Sequence, residues 1–176
     1  MVKLLIATHN KGKLNEYVEL LSSTSVELLS LDDLSIHEDV EETGFSFHEN
    51  SYLKAKSYSQ LSGMITLSDD SGLQVDQLGG EPGIYSARYG GESCKSDTDR
   101  VELLLSNLQG TPWPARTARF TCVISICGVD KLLSSVVGSI SGMIQYEPRG
   151  NNGFGYDPIF YLPSYRKTMS EIEQKE

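Results

Sequence analysis

Thr8-His9-Asn10-Lys11-Gly12-Lys13 sets a hydroxyl, an amide, a glycine and two lysines side by side. Before them, residues 2–7 are largely apolar and predict a buried strand; after them, Leu14, Tyr17, Val18 and Leu21 recur at helical spacing. Amide hydrogens at a helix start and two ammonium groups meeting at one spot suit an anion, most simply a phosphate. A polar strand-to-helix turn with solvated lysines is the plainer alternative. The G-x-x-x-x-G-K-[ST] spacing of a P-loop is absent.

Asp69 and Asp70 follow a short predicted strand, residues 64–67, and precede Ser71-Gly72. Neighbouring side chains on an extended chain point opposite ways. One carboxylate can therefore face a site while the other braces a loop or meets a second ligand. Paired carboxylates suit Mg²⁺, and either suits a general base acting on water. An Asp-Ser-Gly turn is the competing reading. Residues 25–44 are acidic and irregular, most of the run reading as a solvated loop; within it Glu41 and Glu42 are candidates for a further metal carboxylate, with solvated side chains as the alternative. Ser46 and Glu49 have the spacing of a capping box, opening a helix to about Leu61. Asn50 and Lys54 share a face of it, and a lysine there can reach a phosphate.

Gly153-Phe154-Gly155-Tyr156-Asp157-Pro158 places two aromatics between glycines. Glycine lets backbone approach a ligand closely, and a ring so held can stack on a nucleobase. A structural turn with an aromatic plug is the alternative. His9, His37 and His48 lack metal-ligand spacing, and Ser71 has no histidine partner nearby, which argues against a serine hydrolase. A lysine-rich anion loop, an acidic metal site and a glycine-aromatic base clamp together describe Mg²⁺-assisted chemistry on a nucleoside polyphosphate.

The elements that must position these groups are mixed. A glycine-rich loop at 79–91 precedes a helix at 97–108 with an inner stripe of Val101, Leu104, Leu105 and Leu108. Residues 116–127 alternate as a strand, residues 132–137 and 138–144 read as two more, and 148–158 form a second glycine-rich loop. This order predicts an α/β or α+β sheet protein with a cleft.

The length of 176 residues fits one domain with a real core. A net charge of −9 argues against general nucleic-acid binding. No apolar run approaches the roughly 18 residues of a membrane span. The first strand begins at once, leaving no room for a signal peptide, so a cytoplasmic location is expected. Cys94, Cys122 and Cys127 share no C-x-x-C spacing, which argues against zinc or a disulfide framework, and Cys122 is expected to pack as a small apolar residue.

The chain resembles the inosine/xanthosine triphosphate pyrophosphatases, which remove deaminated purine nucleotides from the pool. The resemblance runs from Leu5 to the last residue and rests on six blocks in order. These are Ala7 to Lys13, Glu41-Glu42-Thr43-Gly44, Glu49-Asn50 with Lys54-Ala55, Asp69-Asp70-Ser71-Gly72-Leu73, Leu78 to Tyr89, and Gly153 to Phe160. It implies an elongated, mixed α/β fold: a central twisted mixed sheet flanked by helices, with a substrate cleft between two lobes, in a homodimer. It implies Mg²⁺-dependent hydrolysis of ITP, dITP and XTP to the monophosphate and pyrophosphate. Carried over by motif, Thr8, His9, Asn10, Lys11, Gly12, Lys13 and Lys54 hold phosphates. Asp70 is base and metal ligand, Glu41 a second ligand, and Asp69 lies close by. Ser71, Phe154, Gly155, Tyr156 and Asp157 touch substrate, Phe154 against the base.

Members of that family continue with a lysine, a Ser-His-Arg segment and a final helix, whereas this sequence reads as a single domain over 1–176 ending at Gln174-Lys175-Glu176. Lys175 is slightly displaced from the family lysine, whose role is not carried over to it. Base selectivity is therefore expected to be weaker here. Two other readings stay open: a nucleotide-binding protein with little or no turnover, and a pyrophosphatase for modified pyrimidine nucleotides, against which the Phe154 loop and the 79–91 segment argue.

Overall fold

The computed structural model describes residues 2–173; Lys175 and its neighbours Gln174 and Glu176 lie outside them. Among the described residues seven strands form one mixed sheet in the order β2-β1-β3-β4-β5-β6-β7, with helices packed on it, as the sequence predicts. The strands are β1 (Val2–Ile6), β2 (Val26–Ser30), β3 (Thr66–Val75), β4 (Thr117–Cys127), β5 (Leu132–Ile144), β6 (Phe160–Leu162) and β7 (Lys167–Thr168). The α-helices are α1 (Lys11–Leu21), α2 (Phe47–Ser62) and α3 (Asp97–Asn107). β1 pairs in parallel with β2 and β3, while β6 pairs antiparallel with β5 and β7.

The chain divides into two compact units, each with its own core. The first comprises Met1–Asp70 and Cys122–Gly138. One of its apolar clusters gathers Ile6, Tyr17 and Leu67 with Leu14, Leu28, Ile124 and Ile126; another gathers Leu5, Leu31, Ile36 and Tyr58. The second comprises Ser71–Thr121 and Ser139–Glu176 and buries Leu73, Val75, Leu104, Leu108, Ile144 and Phe160. Burying each such side chain contributes about 1.5–3 kcal/mol. Within this unit the buried Arg116 guanidinium donates to the carbonyls of Leu108, Ile144 and Gln145, tying the end of α3 to the end of β5.

Local signals place the helices well. Asn10 caps α1, its Oδ1 accepting from Lys13 N–H. Ser46 caps α2, but the Glu49 carboxylate reaches Phe45 N–H, so only half of the expected capping box forms. Three strand readings are corrected. β3 does not stop before Asp69: it runs ten residues, through Ser71-Gly72 to Val75, because partners on both faces satisfy the two carboxylates. The two strands expected at 132–144 are one strand of 13 residues, with no turn at Gly138. The acidic run at 25–44 contains β2, which is held beside β1 and does not read as a strand locally. Among the described residues no helix is long and apolar enough to cross a membrane.

Candidate active site

In the first unit β3 carries adjacent carboxylates to opposite faces. Asp69 and Asp70 are only 3% and 5% exposed, so each charge must find partners. Asp69 accepts from Lys13 Nζ at 2.7 Å, and the Cys122 thiol lies 3.9 Å from the same oxygen. Asp70 faces α2 instead. Its Oδ2 accepts from Asn50 Nδ2 at 3.1 Å, and its Oδ1 is 3.8 Å from Lys54 Nζ. The Lys54 ammonium also pairs with Glu42 at 2.5 Å. Two lysines and three acidic side chains thus gather on α1, β3, α2 and the segment before α2.

The segment before α2 is held by Asn50, which is fully buried and accepts from Gly44 N–H at 2.8 Å while donating to Asp70. A Cβ at position 44 would come within 2.6 Å of Asn50 Oδ1, so glycine is required there. The Glu41-Glu42-Thr43-Gly44 motif and the Asn50/Asp70 pair are therefore one structural unit.

Burial pushes the Asp70 carboxyl above its ordinary range; the Lys54 charge opposes that, Glu42 adds to it, and the Asn50 hydrogen bond opposes it. Burial alone would lower the Lys13 ammonium, but the Asp69 charge and hydrogen bond outweigh it, and the net shift is upward. Lys13 is thus held charged and Asp70 protonates more readily than a free aspartate. The Cys122 thiol is pushed up to about 11, by burial first and then by the Asp69 charge. It is half-buried and lies against a carboxylate, rather than packing only among apolar groups.

The other predicted residues of this unit are less gathered. Thr8 Oγ1 accepts from Asn10 N–H, shaping the turn into α1. His9 Nε2 lies 3.3 Å from both Tyr58 Oη and Asp39 Oδ1, so its ring is engaged with α2 and the acidic segment. Lys11 is exposed on the first turn of α1, and Gly12 is half-buried beside it. Glu41 is exposed; Glu42, the other acid weighed for the metal, is the one beside Lys54. Glu16 on α1 escaped the sequence reading, and Tyr17, there only a member of the apolar stripe, also lies against Asp69. Glu16 stands three residues after Lys13, a helical neighbour spacing that could have revealed it. Its carboxyl is pushed up by loss of water first, then by the Asp69 charge, with Lys13 opposing.

In the second unit Ser71 continues β3, half-buried. Farther along the chain, Asp157 Oδ2 accepts from Phe154 N–H at 2.9 Å, closing a small turn. Gly153 has φ +77°, and a Cβ there would overlap Asp157 Oδ2. Tyr156 is buried and donates to Ser86 O at 2.9 Å, serving as the plug of the loop, whereas the Phe154 ring is 37% exposed. The loop thus buries one aromatic and presents the other.

The residues of the first unit that could hold a cation such as Mg²⁺ are carboxylates. Asp70 and Glu42 set hard carboxylate oxygens on either side of a single ammonium, Lys54 Nζ, at 3.8 and 2.5 Å. Among the described residues no group of three or more His, Cys, Asp or Glu side chains forms a ready metal cage. Mg²⁺ commonly needs only one or two protein carboxylates, with water and substrate phosphates completing its shell.

The profile of the Ham1 family matches residues 4–176. A dITP/XTP pyrophosphatase of Halalkalibacterium halodurans is 46% identical over 176 residues, covering 100% of this chain and 90% of that protein. One of Bacillus subtilis is 43% identical over 176 residues, covering 100% and 88%. Among solved structures, a HAM1 protein from Coxiella burnetii matches with a TM-score of 0.88 at 37% identity, over 99% of this chain and 89% of that one. The Ham1 protein of Staphylococcus aureus matches with a TM-score of 0.83 at 42% identity, over 98% and 88%. Fold and sequence agree along nearly the whole length: the chain belongs to the Ham1 family.

Proposed function

We propose that this protein is a nucleoside triphosphate pyrophosphatase that hydrolyses deaminated purine nucleotides, dITP, ITP and XTP, to the monophosphate and pyrophosphate. The observation that carries the reading is Asp70: a buried carboxylate, oriented by Asn50 and set beside an ammonium. Relatives named dITP/XTP pyrophosphatase over almost their full length support it.

Asp70 accepts a proton from water, whose oxygen attacks the α-phosphorus. The bond from that phosphorus to its bridging oxygen breaks, and pyrophosphate leaves with the electron pair. Lys13 and Lys54 supply positive charge for the phosphates, and Asp69 keeps Lys13 extended and protonated. Asp70 and Glu42 are the residues proposed to hold Mg²⁺. When bound, Mg²⁺ neutralises phosphate charge and polarises the phosphoryl oxygens. Phe154 provides the ring on which the purine stacks, with backbone of the same loop reading the base edge.

A homodimer is part of the proposal. In the first unit Val136 and Val137 on β5 are 55% and 65% exposed, and Leu132 and Leu133 of the same strand are exposed too, apolar surface for a second copy to cover. The free thiols of Cys94, Cys122 and Cys127 suit the reducing cytoplasm, where we place the protein.

The test is product analysis with purified protein, ITP, dITP, XTP, GTP and ATP, with and without Mg²⁺. Pyrophosphate and monophosphate in equal amounts, fastest from the 6-oxo substrates lacking a 2-amino group, are expected. Orthophosphate as product, or binding without turnover, overturns the reading.

A further inference from the structure

We propose that Asp97 is a positioning residue for base recognition, holding the Phe154–Asp157 loop in shape through the Gly155 amide. The inference rests on the assignment of that loop to the base. Asp97 opens α3, and its Oδ2 accepts from Gly155 N–H at 2.9 Å across 58 residues of sequence. Its Oδ1 accepts from Arg100 Nη2 at 2.6 Å, one helical turn on. The carboxylate is thus clamped at both oxygens, one by its own helix and one by the loop.

The loop needs such an anchor. Gly153 and Gly155 sit at φ +77° and +59°, and glycine is the residue with the most alternative conformations to give up. The bonds that Phe154 N–H makes to Asp157 Oδ2 and Asp157 N–H makes to Phe154 O stay inside the loop. They define a turn but do not fix where it stands. Three contacts reach out to other elements: Tyr156 Oη to Ser86 O, Gly155 N–H to Asp97, and Ser170 N–H to Asp157 O at the far end of the loop. The first pins the buried aromatic. The second pins the residue directly after Phe154, and so sets the direction in which that ring projects. Asp97 is not needed to cap its helix, because Ser96 and Asp99 already form a complete capping box. Removing its side chain should therefore spare α3.

Two measurements on Asp97→Ala and Asp97→Asn test this. In the first, hydrogen exchange at the Gly155 amide is followed by NMR. The alanine variant is expected to exchange about tenfold faster, the loss of roughly one hydrogen bond. The asparagine variant, which keeps an acceptor oxygen, should stay near wild type, and the Leu104 and Leu105 amides of α3 should not move. Unchanged exchange in Asp97→Ala overturns the anchor. In the second, the alanine variant is expected to raise the KM for ITP by about three- to tenfold, with a smaller fall in kcat and with rescue in Asp97→Asn. Inhibition by inorganic tripolyphosphate, which has no base, should be unaltered. Faster exchange with an unchanged KM overturns the link to base recognition. Absence of pyrophosphate release from ITP by the wild-type chain is a different failure, that of the proposed activity, and the exchange result still decides the role of Asp97.

Discussion

Asn50 Nδ2 donates to Asp70 Oδ2 at 3.1 Å, joining α2 to β3 in the buried part of the first unit. The bond leaves Asp70 Oδ1 on the Lys54 side and fixes the plane of the carboxylate. Because Asn50 Oδ1 also holds Gly44 N–H, a single amide orients the base and the Glu42 segment together.

Asn50→Ala removes both bonds and leaves the half-buried Gly44 N–H and the buried Asp70 carboxylate each short of a partner. A stability loss of about 2–3 kcal/mol is expected from denaturant unfolding. The Asp70 hydrogen bond favours the ionised form, so its loss should move the acid limb of the pH–rate profile to higher pH in this variant. A limb that stays in place would show that Asn50 does not tune the base.

Asp70→Asn should lower kcat by at least about 10²–10⁴-fold, the usual loss with a general base. Its stability should move the other way. The folded carboxyl of Asp70 is raised, by burial first, so the folded state holds the proton more tightly than the unfolded one. That contribution is complete below the unfolded pKa and is lost as pH rises through the folded value. Asparagine carries no such penalty, so without Mg²⁺ the variant should be at least as stable as wild type at neutral pH, and the difference should shrink as pH falls towards about 4 and stay constant below it. Urea midpoints at several pH values check this.

Lys13→Ala should raise KM for ITP and GTP alike, on the order of tenfold or more, since a charge-assisted bond contributes about 1.5–3 kcal/mol. Its ammonium addresses phosphate, which every nucleotide carries, so the ITP-to-GTP ratio of kcat/KM should hold within about threefold. A large change in that ratio at unchanged KM would place Lys13 at the base instead.

Glu42→Gln and Glu41→Gln separate two adjacent acids. Glu42 pairs with Lys54 and faces Asp70, whereas Glu41 is exposed. The Mg²⁺ concentration for half-maximal rate should rise about tenfold or more in Glu42→Gln and by less than about twofold in Glu41→Gln, as expected for loss of one of two carboxylate ligands. The opposite pattern would assign the metal to Glu41.

What the sequence determined by itself is what depends on a few neighbouring residues. Asn10 and Ser46 mark helix starts because a side-chain oxygen three residues back meets a free N–H, and that geometry is local. The period of two sends Asp69 and Asp70 to opposite faces wherever the strand lies, and the mixed α/β class follows from the order of such segments. Tertiary structure decided the pairings. The Asp-Ser-Gly stretch reads locally as a turn, yet β3 runs on through it, because Lys13, Asn50 and Lys54 compensate the carboxylates from helices 56, 20 and 16 residues away in sequence. Glu42 rather than Glu41 faces Asp70 because Gly44 packs against Asn50. β2 is a strand because β1 lies beside it. Each of these depends on a partner distant along the chain, and a buried charge or an open strand edge takes its stable form only once that partner has been brought to it.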